Sequence, residues 1–225
     1  MTPTHLTLYN GIMTTPPNSN FIHPTAVVGP DVVMGEGNYI GPYCVVYGKT
    51  VLGHRNRLEA HCAIGTPPEH TQFFTHTEGA VQFGDDNVVR EFVTVNAGMA
   101  HPTVLGDRNS LLRGSYLGHD SIVENDVILA PNALVGGHSY LMSGCYFGLA
   151  SMCHQYSVIG AYVMLGMGAV VPKHKEILPC QIFVGNPVTY LKENEVGIQR
   201  WQLSPAAIAA LRVRYHELVV KGRPA

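Results

Sequence analysis

Apolar residues recur at every sixth position from Ile22, through Val28, Met34, Ile40, Val46, Leu52, Leu58 and Ile64, and after a gap at Phe83, Val89 and Val95. After a second gap the frame runs unbroken through Leu105, Leu111, Leu117, Val123, Leu129, Val135, Leu141, Phe147, Cys153, Ile159, Leu165 and Val171. With 46% of the chain hydrophobic, twelve such steps in a row arise by chance on the order of once in 10^4. Glycine often follows the apolar residue, as at Gly29, Gly41, Gly53, Gly118, Gly136 and Gly160. An inward apolar residue followed by a glycine that permits a tight backbone is a corner signal. Hairpins would not keep one spacing for so long. The spacing predicts an all-β solenoid, a parallel β-helix.

Two segments interrupt the frame, residues 66–82 and 98–104, and they are expected to leave the solenoid as loops. After Val171 the frame stops, with Pro172 and Pro179 as breakers. Ser204 and Pro205 then read as N-cap and first helical residue, and Ile208, Leu211, Tyr215 and Leu218 follow at helical spacing, which predicts a helix over 205–221. A shorter helix is expected around Thr189–Trp201. The expected organisation is an N-terminal extension over 1–20, a β-helix over 21–180, and a helical segment over 181–225.

Composition narrows the function classes. Only 13% of residues are charged, about half the usual share of roughly 25%, as expected if much of the surface lies in packed layers or subunit interfaces. The net charge of -2 gives no basic field for nucleic acid. No apolar run reaches the roughly 18 residues of a membrane span. Met1 to Asn20 lacks the order of a secretory signal. The five cysteines contain no CxxC pair, which fits reduced thiols in a cytoplasmic protein.

The frame also serves as a coordinate system. The six-residue repeat resembles that of hexapeptide-repeat proteins, which implies three hexads to a coil; Leu117, Val135 and Cys153, eighteen apart, would then stack roughly 4.8 Å from one another. His119, His138 and His154 follow these three residues closely, so they share one edge, and Val95 places Asn96 on the preceding coil. Asp120 adjoins His119. An imidazole oriented by a carboxylate is the usual apparatus of a general base acting on a hydroxyl or amine. Three histidines are also able to hold zinc.

These residues carry a resemblance that runs from about residue 21 to 220. Ile22-His23-Pro24-Thr25-Ala26-Val27, Ile40-Gly41-Pro42-Tyr43, Gly118-His119-Asp120, Gly136-Gly137-His138, His154-Gln155 and Gly185-Asn186 resemble the bacterial UDP-N-acetylglucosamine acyltransferases of lipid A biosynthesis. Asn194, Arg200 and Ser204 also fall where that family has Asn, Arg and Ser. The resemblance implies a triangular, left-handed β-helix, contrary to the usual right-handed crossover, and a cytoplasmic homotrimer with active sites between subunits. It implies transfer of a 3-hydroxyacyl group from acyl carrier protein to the sugar, with no cofactor beyond the donor's phosphopantetheine. His119 would be the base, Asp120 its orienting group, and the Gly137 N–H an oxyanion donor. Asn96 stands at a site position, His138, His154 and Gln155 would contact substrate, Met167 would limit acyl length, and Arg200 would approach a phosphate. Hexapeptide-repeat carbonic anhydrases pair two histidines five residues apart; Gly114 and Glu124 stand at those distances from His119, so no metal is expected.

Departures from the family concern the acceptor. The family commonly has His at the positions of Asn96 and Tyr116, and Asp-Leu-Lys where this chain has a lysine-free stretch, Glu69-His70-Thr71-Gln72-Phe73-Phe74. Another nucleotide amino sugar, or an amide product, is compatible with that change. Two alternatives stand beside this expectation: a coenzyme A-dependent sugar acetyltransferase, and a trimeric hexapeptide-repeat protein that has lost activity. Thr189–Ala225 holds six basic residues against three acidic, a surplus that suits an acidic carrier protein.

Overall fold

The computed structural model describes residues 7–9, 12–14, 18–71 and 79–220; Gln72, Phe73 and Phe74 of the first loop, like the far C-terminus, lie outside them. Within the N-terminal extension Thr7–Tyr9 and Ile12–Thr14 pair antiparallel.

The chain winds as a left-handed parallel β-helix. Consecutive short strands enter three different sheets: Phe21–Ile22, Val27–Val28 and Val33–Met34 open one each. Each sheet then grows by parallel pairing to the strand one coil on, as when Leu117 faces Val135 and Val135 faces Cys153. From Ile40 onward the frame residues named above all point inward and form one continuous buried core. Full burial of a Leu or Ile stabilises by roughly 1.5–3 kcal/mol, so this column of side chains holds the coils together. Ile22, on the first coil, remains 42% exposed.

Four expectations are corrected. The frame does not stop at Val171, because Ile177 and Phe183 continue it in buried positions, Ile177 bridging in parallel to Ile159. Pro172 and Pro179 sit outside the strands, where no ladder N–H is needed. The Thr189–Trp201 region is half strand: Thr189–Glu193 pairs antiparallel with Gln181–Val184, and only Glu195–Arg200 is helical (α1). The glycines that follow the apolar residues serve close approach. A Cβ on Gly136 would lie 2.4 Å from the Gln155 nitrogen, and one on Gly118 would lie 2.6 Å from the Gly137 nitrogen. The left-handed backbone falls three residues after the inward apolar residue, and mostly not on glycine. Asp120 (φ 57°) and His138 (φ 56°) are two such corners. The loops are also shorter than the broken frame indicates, since Ala80–Phe83 and Thr103–Leu105 are strands.

A polar ladder completes the interior. Asn20, Asn38, Asn56, Asn87 and Asn109 stack along one corner, each side-chain oxygen accepting the backbone N–H of the residue one coil on. The ladder ends where Val127 takes the next position.

Helix α2, Pro205–Val220, begins as expected with Ser204 Oγ accepting the Ala207 N–H at 3.2 Å. It lies against the sheet containing Tyr140 and Val158, burying Tyr215 and Leu218 beside Met142 and Ala161. The Tyr215 hydroxyl accepts the Ile177 N–H at 2.9 Å. Arg214 pairs with Glu124, which also accepts the Tyr140 hydroxyl at 2.7 Å. No helix of the described residues is long and apolar enough to cross a membrane.

Candidate active site

The corner after the strand Tyr116–Leu117 carries His119 and Asp120. Register decides what stands over them: Leu117 faces Val135, so Gly137 lies above His119 and His138 above Asp120. His119 Nδ1 lies 2.6 Å from Asp120 Oδ2. The other oxygen, Oδ1, accepts three backbone N–H groups, from Met99 at 2.9 Å, Ala100 at 2.7 Å and His101 at 3.0 Å. The Asp120 N–H donates to Thr103 Oγ1 at 2.9 Å. The second loop is therefore wrapped around one carboxylate.

Burial alone would raise the Asp120 pKa, but the His119 contact and the N–H donors outweigh it and hold the carboxyl below its usual range. An ionised Asp120 makes Nδ1 of His119 the protonated nitrogen and leaves Nε2 with its lone pair. The space at Nε2 depends on glycine, since a Cβ on Gly137 would sit 2.9 Å from that atom. The His119 side chain is only 15% exposed.

His138 meets His119 edge-on with ring centroids 4.9 Å apart, places Nε2 3.8 Å from Asp120 Oδ2, and stacks on Tyr156 at 4.6 Å. His154 and Gln155 are exposed on the next coil, and His154 borders an apolar groove of about 690 Å³ with Tyr116, Leu134, Met152 and Val170. On the other side of the edge a cavity of about 570 Å³ lies between His101, His138, Tyr156 and helix α2.

Not every expected site residue joins this cluster. Asn96 is buried; its amide donates to Thr66 Oγ1 and Pro67 O, and its oxygen accepts the Tyr116 hydroxyl at 2.7 Å. It braces the root of the first loop. Met167 is 76% exposed at a corner of a different edge. Arg200, on α1, lines a hollow of about 390 Å³ with Tyr162, Met164 and Trp201. Within one chain neither reaches His119. Conversely, His70 of the first loop comes edge-on to His119 at 6.3 Å, and His101 of the second approaches His138 at 6.4 Å. Hexad counting could not find these two, because both lie where the frame is broken.

Fold and site together define a hexapeptide-repeat β-helix protein with a carboxylate-buttressed histidine on one edge. No protein-family model matches the chain. The acyl-[acyl-carrier-protein]–UDP-N-acetylglucosamine O-acyltransferase of Alkalilimnicola ehrlichii is 33% identical over 164 residues, which cover 72% of this chain and 62% of that protein. The chain thus spans less than two thirds of that curated relative. Among solved structures, the UDP-N-acetylglucosamine O-acyltransferase of Moraxella catarrhalis is 26% identical, with TM-score 0.69 over 91% of this chain and 86% of that one. The Francisella novicida UDP-N-acetylglucosamine acyltransferase shares the fold at TM-score 0.71 and 21% identity, over 91% and 80% of the two chains. Over most of its length the chain is similar to the UDP-N-acetylglucosamine O-acyltransferases.

Proposed function

We propose that the protein transfers a 3-hydroxyacyl group from acyl carrier protein to a hydroxyl or amine of a UDP-amino sugar resembling UDP-N-acetylglucosamine. The observation that carries this is the His119–Asp120 pair at 2.6 Å, with Nε2 opposite the side-chain-free Gly137. In this reaction Nε2 takes the proton of the acceptor as its oxygen or nitrogen attacks the thioester carbonyl carbon. The Gly137 N–H donates to the oxyanion of the tetrahedral intermediate. Collapse breaks the carbon–sulfur bond, and the imidazolium returns its proton to the departing phosphopantetheine thiolate. No cofactor is required.

His138, His154 and Gln155 line the edge where the acceptor would lie. Their positions on successive coils suit a ligand extended along the prism. The roles expected of Met167 and Arg200 require a second copy, because both stand away from His119 in one chain. A homotrimer supplies that copy, and the apolar groove beside His154, together with the low charged share, supports it. The All-thiol state of the five buried cysteines fits a cytoplasmic location.

A mass-spectrometric screen tests this function, pairing acyl carrier protein and coenzyme A donors of several lengths with several nucleotide sugars. Product from 3-hydroxyacyl carrier protein and a UDP-amino sugar is expected. Acetylation from acetyl coenzyme A alone would replace the proposal with an acetyltransferase.

A further inference from the structure

Asp120 has more than one histidine neighbour. One ligand atom each from His101, Asp120 and His138 falls within a set whose members lie within 4.8 Å of one another. We propose that these three side chains form a site for a zinc-class divalent transition metal ion, and that its occupation takes Asp120 away from His119.

Each donor is presented by a separate device. Asp120 Oδ1 is committed to three backbone N–H groups, so Oδ2 is the oxygen left to ligate. His101 Nδ1 lies 3.0 Å from the carbonyl oxygen of Pro102. A carbonyl only accepts, so Nδ1 carries the hydrogen and Nε2 keeps the lone pair that a metal needs. His138 is held by stacking on Tyr156, with Nε2 3.8 Å from Oδ2. Ligand atoms around a tetrahedral zinc stand about 3.3 Å apart when bonds are roughly 2.0–2.1 Å. With the donors within 4.8 Å of one another and His138 Nε2 3.8 Å from Oδ2, the set must draw in by up to about 1.5 Å to reach that spacing. Two imidazoles and one carboxylate form a borderline donor set that suits zinc, and water would fill a fourth position.

The site arises from the departure in the frame. Asp120 and His138 are stacked corners of the solenoid, whereas His101 comes from the loop that breaks it. Oδ2 is the atom that orients His119, so a cation there competes for the lone pairs that hold the Nδ1–H. The site itself stands on geometry; only its inhibitory consequence rests on the acyltransferase function proposed above.

The test measures binding and activity separately on the full-length protein. Zinc affinity is measured by competition with a chromophoric chelator, and cobalt absorption reports the ligand field. Wild type is expected to bind one equivalent per chain. His101→Gln, which keeps the backbone N–H to Asp120, should bind on the order of 10- to 100-fold more weakly or worse, because losing a ligand costs at least as much as losing its supporting shell. His216→Gln, on α2, should bind as wild type. With the reaction running, zinc should inhibit wild type, a chelator should restore it, and His101→Gln should resist zinc when its rate is compared with its own zinc-free rate. Equal zinc affinity in wild type and His101→Gln would overturn the site, whatever the outcome of the substrate screen. Inhibition persisting in His101→Gln would overturn the competition with His119.

Discussion

Nδ1 of His119 stands 2.6 Å from Oδ2 of Asp120, and the same carboxylate holds three N–H groups of the second loop through Oδ1. One residue therefore sets the tautomer of His119, the proposed base, and the shape of the loop beside it. Asp120→Asn separates these two tasks. Its amide oxygen still accepts from the loop, but its NH2 faces Nδ1 and drives the imidazole proton to Nε2. Turnover is expected to fall by roughly 10^2–10^4, the scale of losing a correctly protonated base, while circular dichroism stays that of wild type. Steady-state kinetics on the folded variant checks this.

Gly137 is legible in the sequence as one glycine among many, yet its reason is particular. A methyl group there would stand 2.9 Å from His119 Nε2. Gly137→Ala should lower turnover about 10^2-fold by displacing the His119 ring, the scale of a 1 Å misplacement. Unchanged turnover would show that Nε2 is not the reacting edge.

Acid stability follows from two carboxyls. Asp120 and Glu124 are both held below their usual values; burial raises each, and hydrogen bonds outweigh it, for Glu124 from Tyr140, Ser143 and Arg214. A carboxyl depressed in the folded state binds its proton more readily when unfolded. The stability it contributes is complete above about pH 5 and is lost as pH falls below roughly 4 towards the folded-state pKa. Thermal melts between pH 6 and 3 should drop steeply at the acid end. Glu124→Gln should melt lower at pH 6 and lose less between pH 6 and 3.

A buried hydroxyl helps to tie helix α2 to the solenoid. Burial pushes the Tyr215 hydroxyl up to about 12, and its oxygen accepts the Ile177 N–H. Tyr215→Phe leaves that N–H without its acceptor at a cost of about 1–3 kcal/mol. A chain of this size should then melt lower by several degrees, at about 2–4 °C per kcal/mol. Calorimetry reads the shift. A melting temperature equal to wild type would mean that this bond does not anchor the helix.

Much of this was legible because the solenoid is nearly one-dimensional: a residue number gives a coil, an edge and a direction. That is why Leu117, Val135 and Cys153, and with them His119, His138 and His154, could be placed together once the resemblance supplied three hexads to a coil. The frame also passes Pro172 and Pro179, which read as breakers, because corners need no ladder N–H. What spacing does not encode is the path of an insertion. His70 and His101 return to the site through loops whose course is set by contacts with Asn96, Tyr116 and Asp120. Asn96 and Tyr116, which read as two separate departures from the relatives, are one hydrogen-bonded unit at the root of the first loop. The asparagine ladder was visible at its spacing of eighteen in Asn20, Asn38 and Asn56, but polar residues inside a core are not what an apolar frame searches for.

The most direct test of His119 as the base is single-turnover acyl transfer by His119→Ala, from 3-hydroxyacyl carrier protein to UDP-N-acetylglucosamine, on protein whose sedimentation and dichroism match wild type. The account predicts a rate lower by roughly 10^2–10^4. A rate within about twofold of wild type, well short of the loss expected for a general base, would contradict it.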